Sequence, residues 1–151
     1  MLSAEQIHSL LEEMEKDLIK YENRREILLS REWINGFLRN PGTYVAFEDR
    51  EIVYIGETGD IRGRMGDLRD TRNHSLRRNI GKYNFSRVDG YSDASTHVKF
   101  PPHIEEKVNS WLKEKVKISI LITDIGRKEL EERLVEKYTP KYNQKGKRKS
   151  G

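Results

Sequence analysis

Four polar residues have side chains suited to the hydrolysis of a phosphodiester bond. They are, in chain order, Tyr44, Tyr54, Arg64 and Glu131. This reaction needs a proton acceptor near the attacking water, a cation for the extra charge on phosphorus, and a group that stabilises the leaving oxygen. A phenol, the guanidinium and a divalent ion held by the carboxylate would supply all three. Because the reference pKa of tyrosine is about 10, neighbouring cations would have to lower it.

The two tyrosines lie on the arms of a predicted β-hairpin, TYVAFEDREIVYIG at 43–56, whose turn is Glu-Asp-Arg-Glu. After the loop, Asp60 can cap a helix that runs to about residue 69. Ile61 and Leu68 belong to the inner line of this helix, and Arg64 stands between them on the same side. An inward guanidinium would suit a phosphate because its planar donors match two phosphate oxygens.

Glu131 stands at the edge of an apolar stripe. The last predicted helix, about 127–138, carries Leu134 three residues and Tyr138 seven residues after Glu131. Its other glutamates form an ordinary solvent face, at positions Glu129, Glu132 and Glu136. A carboxylate directed toward a core is costly unless it is paired, hydrogen-bonded or bound to a metal. One carboxylate can anchor Mg²⁺, which keeps several waters and takes substrate oxygens as further ligands.

Packing is the alternative explanation for each of these residues. Tyrosine is common in strands for its shape alone. Arg64 can extend its methylene groups along the core and keep its charge in water, and Glu131 can reach water or a lysine.

The remaining elements are predicted from periodicity and capping. Leu2 and the capping box at Ser3 start a helix that we expect to run to about residue 28, and Ser30 starts a short second helix that ends at Asn40-Pro41-Gly42. The segment NHSLRRNIGKY begins as a helix, 88–101 is an irregular excursion with some strand, and Pro102 starts another helix. Alternating apolar residues over 116–122 predict a strand with one buried face.

Composition and charge fit one small globular domain with a polyanionic partner. The chain has 151 residues, of which 34% are hydrophobic and 36% charged, and it has no cysteine. Residues 1–39 carry six Lys/Arg and eight Asp/Glu, a net charge of −2. Because the whole chain has a net charge of +4, the remaining residues carry +6. Such a basic body favours nucleic acid. No apolar run approaches the roughly 20 residues of a membrane helix, and no signal peptide is recognisable, so we expect a cytoplasmic protein.

The motifs resemble those of the GIY-YIG nuclease family. Gly42-Thr-Tyr44 stands where the first triplet of that family would be, and Tyr54-Ile-Gly56 matches the second. Arg64 has the spacing of the family's catalytic arginine, and Glu131 that of its metal-binding glutamate, twelve residues before Asn143 in the ending Pro-x-Tyr-Asn. The resemblance covers 42–143.

The resemblance implies an α/β (α+β) fold in which a small antiparallel three-stranded central sheet is flanked by helices. It implies a metal-dependent DNA endonuclease with Mg²⁺, or Mn²⁺, as its cofactor. Tyr44 would be the general base or would orient the water, and Tyr54 would support the water or the metal shell. Arg64 would bind the scissile phosphate, Glu131 would hold the metal, and Asn143 would brace the site by hydrogen bonds. Which tyrosine is the base stays open.

One position departs from the family. Four residues after the arginine the family often has a histidine or tyrosine, whereas this chain has Leu68. His74 is the nearest replacement, and a structural histidine is the alternative. Phosphates beside the cleft would be contacted by the basic residues that follow, and we expect these DNA contacts at Arg72, His74, Arg77, Arg78 and Lys82.

The chain is therefore predicted to comprise an N-terminal helical extension (1–41), a GIY-YIG-like nuclease domain (42–143) and a basic, disordered tail (144–151). A stand-alone nuclease that forms a homodimer to cut both strands is an attractive form of this hypothesis. Two alternatives remain: a DNA-binding module that keeps the fold without cleaving, which Leu68 favours, and a plain structural or interaction domain.

Overall fold

The computed structural model describes residues 1–143, and the predicted tail at 144–151 lies outside them. Its helices are α1 (Ala4–Ile19), α2 (Arg31–Asn35), α3 (Ile61–Asp67), α4 (Ser75–Phe85), α5 (Pro102–Lys115) and α6 (Arg127–Tyr138). Its strands are β1 (Arg25–Glu26), β2 (Gly42–Glu48), β3 (Glu51–Thr58) and β4 (Val116–Ile122). The described part of the chain contains no helix long and apolar enough to cross a membrane.

The strands form one antiparallel sheet in the order β1-β4-β2-β3. In the β2–β3 hairpin, Tyr44 lies opposite Gly56 and Ala46 lies opposite Tyr54. Side chains alternate between the two faces of a strand, so both tyrosines and Gly56 share one face of the sheet. Strand β3 is an edge strand, and its outer side is not covered by another described strand.

Each face of the sheet has its own apolar core. The face with Tyr44 and Tyr54 packs against α3, α4 and α5, through residues that include Ile61, Met65, Leu68, Leu76, Ile80, Ile104, Val108 and Leu112. The face with Val45 and Ile55 packs against α1 and α6, through Leu11, Leu18, Leu130 and Leu134. Helix α3 therefore lies on the tyrosine side of the sheet, and α6 lies on the opposite side.

The predicted fold class is confirmed, as a mixed α/β fold with a small antiparallel sheet flanked by helices. The hairpin, the capped helix α3, and α5, β4 and α6 have close to their predicted bounds. Asp60 caps α3 by accepting a hydrogen bond from the backbone N–H of Gly63, at 3.1 Å. The irregular excursion at 88–101 contains no strand within its described residues.

Three predictions about the N-terminal segment are wrong. The second helix, expected to end at Asn40-Pro41-Gly42, ends at Asn35. The first helix ends at Ile19 and does not continue to residue 28, because side chains take up its last carbonyls. Asn23 donates to the carbonyl of Asp17, and Arg24 to that of Ile19. The chain then adds the short strand β1 to the edge of β4, so the sheet has four described strands, not three. Ile27 follows β1 into the core on the tyrosine side.

Glu15 joins α1 to α6 and thereby ties the N-terminal helix to the rest of the fold. Its carboxylate is buried and accepts hydrogen bonds from Lys137, at 2.6 Å, and from the hydroxyl of Tyr138, at 2.8 Å, with Arg133 3.5 Å away. Burial alone would raise the pKa of Glu15, but the hydrogen bonds and charges of Lys137, Tyr138 and Arg133 outweigh it and lower the pKa.

We expect Glu15→Gln to lower the free energy of unfolding by about 1–2 kcal/mol, since it removes a charged hydrogen-bond acceptor whose lysine partner is half exposed. The stabilising effect of Glu15 is present above the ordinary carboxyl pKa and is lost as pH falls through the lowered folded-state pKa. Urea unfolding at several pH values measures the difference, which should shrink in acid. Glu12→Gln on the exposed side of α1 is the matched control. Equal losses for the two variants would contradict the prediction.

Candidate active site

The hydroxyl of Tyr44 is the centre of a polar cluster on the helical side of β2 and β3. Its oxygen lies 3.0 Å from Nε2 of His74 and accepts a hydrogen bond from Nε of Arg64, at 3.2 Å. The side chain is 1% exposed. Its ring lies across Gly56 on the neighbouring strand, so closely that a Cβ atom at Gly56 would overlap Cζ and the hydroxyl. The glycine of the second triplet is therefore required by the tyrosine of the first.

His74 is neutral and donates its hydrogen bond to Tyr44. Its Nδ1 accepts the backbone N–H of Leu76, at 3.1 Å, and so caps the start of α4. Burial lowers the pKa of His74 well below its ordinary value, and the charges of Arg64, Arg78 and Arg77 lower it further. A neutral imidazole whose Nδ1 is an acceptor carries its hydrogen on Nε2. Nε2 therefore donates, and the Tyr44 oxygen accepts.

The guanidinium of Arg64 is fixed on two of its three nitrogens. Nε donates to Tyr44, and one terminal nitrogen donates to the carbonyl of Asn73, at 2.9 Å, and to Asp67, at 3.1 Å. Within residues 1–143, no hydrogen bond involves the other terminal nitrogen. The side chain is 27% exposed, so an oriented cationic edge of Arg64 faces outward from the cluster.

Tyr44 accepts two hydrogen bonds, and only its hydroxyl hydrogen is left for another partner. Burial raises the pKa of Tyr44, the neighbouring phenol of Tyr54 adds to this, and Arg64 acts in the opposite direction. Arg64 is the cation that a tyrosine would need beside it for a lowered pKa, but burial outweighs its effect on the pKa of Tyr44. The phenol is therefore protonated at neutral pH in this conformation.

Tyr54 lies beside Tyr44 on the same face. The two rings are stacked with centroids 6.1 Å apart, and the ring of Tyr54 is 5.6 Å from that of His74. The hydroxyl of Tyr54 is 2.9 Å from Oγ of Ser75, the first residue of α4. Ser75 was missed by the sequence analysis. A small polar residue at a helix start gives no signal of a partner twenty-one positions away.

Leu68 takes no part in this polar cluster, whereas His74 does. Leu68 is fully buried in the core on the tyrosine side. A polar side chain at this position of α3 would be surrounded by apolar groups, whereas His74 reaches the Tyr44 hydroxyl from the start of α4.

Glu131 does not touch this cluster. It lies on α6, which packs against the opposite face of the sheet, and none of the described residues forms a hydrogen bond or ion pair with it. Burial raises the pKa of Glu131, and the charges of Glu57 and Glu132 raise it further. Glu57 follows Gly56 on β3, so a second carboxylate lies near Glu131 beside the edge strand. Among residues 1–143 no group of three or more His, Cys, Asp or Glu could hold a metal ion.

Asn143 binds the free edge of β3 as a further strand would. Its side-chain oxygen accepts the backbone N–H of Ile55, at 2.8 Å, and its amide donates to the carbonyl of Ile55, at 2.9 Å. Ile55 lies between Tyr54 and Gly56. The amide of Asn143 thus supports the backbone that carries Tyr54 and Gly56, the glycine that lies under the ring of Tyr44.

Arg77, predicted to contact DNA, is buried and structural. It pairs with Glu105 and also donates to Thr71, to Asn109 and to the carbonyl of Leu68. Four hydrogen bonds on a guanidinium that is 1% exposed leave it unable to meet a phosphate. The DNA contact predicted for Arg77 does not fit this position. Sequence could not reveal this, because its partners come from two separate segments, residues 68–71 and helix α5.

The DNA contact predicted for His74 does not fit either, because His74 is fully buried and both its ring nitrogens are hydrogen-bonded, to Tyr44 and to Leu76. The side chains of Arg72, Arg78 and Lys82, the remaining predicted contacts, are at least partly exposed. Arg72 is exposed but paired with Asp70 at 2.7 Å. Arg78 is half-buried and donates to the backbone carbonyls of Thr71 and Arg72, and Lys82 is exposed. Tail lysines and Arg148 lie outside the described residues.

We expect Gly56→Ala to displace the Tyr44 ring, because the new methyl group would overlap it. The free energy of unfolding should fall by about 1–3 kcal/mol, the cost of overpacking a filled core. Chemical denaturation measures this. Gly66→Ala in α3 is the control, since the nearest atom to its new Cβ is 3.8 Å away and alanine favours a helix. A Gly56→Ala variant as stable as the parent would refute the close contact.

His74 should make stability depend on pH below its ordinary pKa of 6.5. There the unfolded chain binds a proton that the folded chain does not, so the free energy of unfolding falls as pH falls, by at most about 1.4 kcal/mol per pH unit. Denaturant unfolding between neutral pH and the carboxyl range measures the slope. The slope should be lost in His74→Gln and kept in His97→Gln, which changes an exposed histidine. An unchanged slope in His74→Gln would overturn the assignment.

In comparisons with known proteins, no family model and no curated protein matches the chain. Solved structures of one domain are similar to it: the GIY-YIG N-terminal endonuclease domain of UvrC from Thermotoga maritima. A point mutant of that domain bound to its catalytic divalent cation is 16% identical, with 74% of this chain and 91% of that chain covered and a TM-score of 0.40. The magnesium-bound form is 16% identical, with 74% and 92% covered and a TM-score of 0.38.

Proposed function

We propose that this protein is a metal-dependent DNA endonuclease that hydrolyses phosphodiester bonds. The observation that carries the proposal is the guanidinium of Arg64, held by Tyr44, Asp67 and the carbonyl of Asn73 with one terminal nitrogen free. A cation whose orientation is fixed before the substrate arrives can stabilise the charge that develops on phosphorus without reorganising. If Arg64 only packed against the core, two of its nitrogens would not need to donate hydrogen bonds to three different acceptors.

The substrate class follows from charge. Residues after position 39 carry a net +6, which favours a polyanion. Arg64 would bind the scissile phosphate, and Arg78 and Lys82 on α4 would bind neighbouring phosphates. Such contacts position the backbone and carry no sequence information.

The tyrosines would act on the attacking water. With both lone pairs of its oxygen accepting hydrogen bonds, Tyr44 can orient a water only by donating its own hydrogen. Once deprotonated, it would be stabilised by the N–H groups of Arg64 and His74 and could accept the proton of the water. Because burial raises the pKa of Tyr44, the phenolate is scarce at neutral pH, and hydrolysis should rise with pH. Tyr54, held by Ser75, is the second phenol available to the water.

Glu131 would hold a divalent ion, with Glu57 as the nearby second carboxylate, although Glu57 already pairs with Arg127 at 3.3 Å. Their fit rests on this chain's own properties: the half-buried carboxylate of Glu131 has no hydrogen-bond or ion-pair partner among residues 1–143, and the nearby charge of Glu57 raises its pKa. A cation would relieve both costs. Carboxylate oxygens suit Mg²⁺ and Mn²⁺, and few protein ligands suffice because water and phosphate oxygens supply the rest. When bound, the ion would act as a Lewis acid and stabilise the leaving oxygen.

A DNA-binding module that does not cleave is the second candidate. It is favoured by the separation of Glu131 from the tyrosine cluster, since the two lie on opposite faces of the sheet. An endonuclease would need the polar cluster on one face and Glu131 on the other to contact the same substrate. They could do so across the edge strand β3, whose outer side is not covered by another described strand.

Incubation of the protein with supercoiled plasmid and Mg²⁺ or Mn²⁺ tests the proposal. We expect nicking that a chelator abolishes and that Glu131→Gln reduces by at least about a hundredfold, because it removes the anionic ligand. Glu132→Gln, one residue along on the solvent face of α6, is the matched control and should keep full activity.

Cleavage that survives Glu131→Gln would remove the metal-site assignment. Tight DNA binding without nicking under any divalent ion would favour the binding module. The same assay with Arg64→Lys addresses the phosphate role, because lysine keeps the charge but cannot meet Tyr44 and a phosphate with separate planar donors.

A further inference from the structure

A pocket of about 330 Å³ opens along α4, the helix whose first residue, Ser75, contacts Tyr54 of the polar cluster. This volume lies within the range of about 300–1,000 Å³ that is typical of small-molecule sites. Its lining includes four aromatic residues, Tyr83, Tyr91, Phe100 and Tyr142. It also includes two cationic residues that have no ion-pair partner in the described chain, Arg78 and Lys82. Of the lining residues, Arg78 and Lys82 have a role in the proposed function, as contacts to neighbouring phosphates, and the aromatic residues have none.

The aromatic lining leaves one ring available for stacking. Phe100 and Tyr142 are buried; Tyr91 lies 5.6 Å from Phe100, and Tyr83 lies edge-on to Tyr142 at 5.7 Å, between ring centroids. Tyr83 is 62% exposed. Three rings therefore form the floor, and Tyr83 stands at the rim, largely exposed, with Lys141 over its ring.

The charges of the pocket suit a nucleotide. Within the described chain neither Arg78 nor Lys82 has an ion-pair partner, so both are available to phosphate. Lys141 is already paired with Glu48, at 2.9 Å, and lies over the ring of Tyr83, 4.9 Å from its centroid. The one carboxylate of the lining, Asp93, accepts the hydroxyl of Tyr91, at 2.8 Å, and has further oxygen lone pairs for the amino group of a base.

The position of the pocket connects it to the proposed cleavage site. Ser75, the partner of Tyr54, starts α4, and the pocket residues Arg78, Asn79 and Lys82 follow at three, four and seven positions, on the same side of the helix. Lys82 is then about 10 Å along α4 from Ser75. On its other wall, Tyr142 precedes Asn143, which holds the β3 backbone between Tyr54 and Gly56.

We infer that this pocket binds one unpaired base of the DNA strand that is cut, within a few nucleotides of the scissile phosphate. The inference rests on the proposed function for its substrate class and deepens it. The base stacks on Tyr83 while Arg78 and Lys82 hold the phosphates on either side. A base within a duplex is paired and stacked on its neighbours, so only an unpaired or extruded base can enter. The protein therefore prefers DNA with an unpaired nucleotide over a perfect duplex.

Fluorescence anisotropy of labelled DNA, with chelator present so that nothing is cut, measures the preference. Three DNAs are compared: a blunt duplex, the same duplex with a single-nucleotide bulge, and that duplex with an abasic residue in the bulge. We expect the full chain to bind the bulge more tightly than either of the other two. Tyr83→Ala should weaken binding to the bulge by about fivefold to a hundredfold, as expected for loss of one base–aromatic stack, and leave the blunt duplex unchanged.

Two variants serve as controls. Tyr83→Phe keeps the stacking face and should keep the preference for the bulge. Tyr21→Ala removes another exposed tyrosine, 72% exposed, from the segment after α1 and should change nothing. Unchanged affinity of Tyr83→Ala for the blunt duplex also establishes that the variant is folded.

Equal binding of the abasic and normal bulges would overturn the inference, because the protein would then recognise bent DNA or phosphate and not a base. Equal weakening of all three DNAs by Tyr83→Ala would overturn it as well. The binding assay is independent of cleavage. A preference for the bulge that depends on Tyr83, in a protein that nicks no plasmid, would support the pocket and refute the endonuclease. Plasmid nicking without a preference that depends on Tyr83 would refute the pocket alone.

Discussion

One buried oxygen couples the three elements on which the site depends. The hydroxyl of Tyr44 on β2 accepts hydrogen bonds from Arg64 on α3 and from His74 at the start of α4. Without that acceptor, the His74 N–H would be buried without a partner, which costs about 1–3 kcal/mol. The same contact orients Arg64 and fixes the first turn of α4, and with it Ser75 and Tyr54. The glycine opposite Tyr44 gives the ring its space.

The C-terminal segment secures the other side of the hairpin. Glu48, at the end of β2, accepts hydrogen bonds from Tyr142, at 2.6 Å, and from Trp111, at 2.8 Å. Tyr142 is thereby held where Asn143 can bind both backbone groups of Ile55. An edge strand with unpaired backbone groups is prone to pair with other chains, and the amide of Asn143 occupies two of those groups. Among residues 1–143, the side chain of Asn143 is the group that hydrogen-bonds the outer edge of β3 at Ile55.

Sequence predicted what depends on short-range patterns. The hairpin, the cap at Asp60 and the apolar lines of α3 and α6 all follow from residues within a few positions of one another. Strand β1 was missed because two residues give no period, and its partner β4 lies more than ninety positions away. The burial of Arg77 was missed because its partner Glu105 lies on another helix. Within the site, residue types and spacing picked out Tyr44, Tyr54 and Arg64, which the fold brings together, and also Glu131, which it places across the sheet. No local signal reports on which face of a sheet a helix will pack.

The surroundings of His74 limit which groups can move protons. His74 is enclosed by the charges of Arg64, Arg77 and Arg78, which together with burial lower its pKa, so it stays neutral and acts as a donor of a fixed hydrogen bond. An imidazole whose Nδ1 is occupied by a backbone N–H and which cannot become charged is unable to take a proton from water. In the proposed reaction the proton must therefore pass to a phenol or to solvent. The histidine contributes by position: it holds the Tyr44 oxygen and leaves the positive charge of the cluster on Arg64, where a phosphate can meet it.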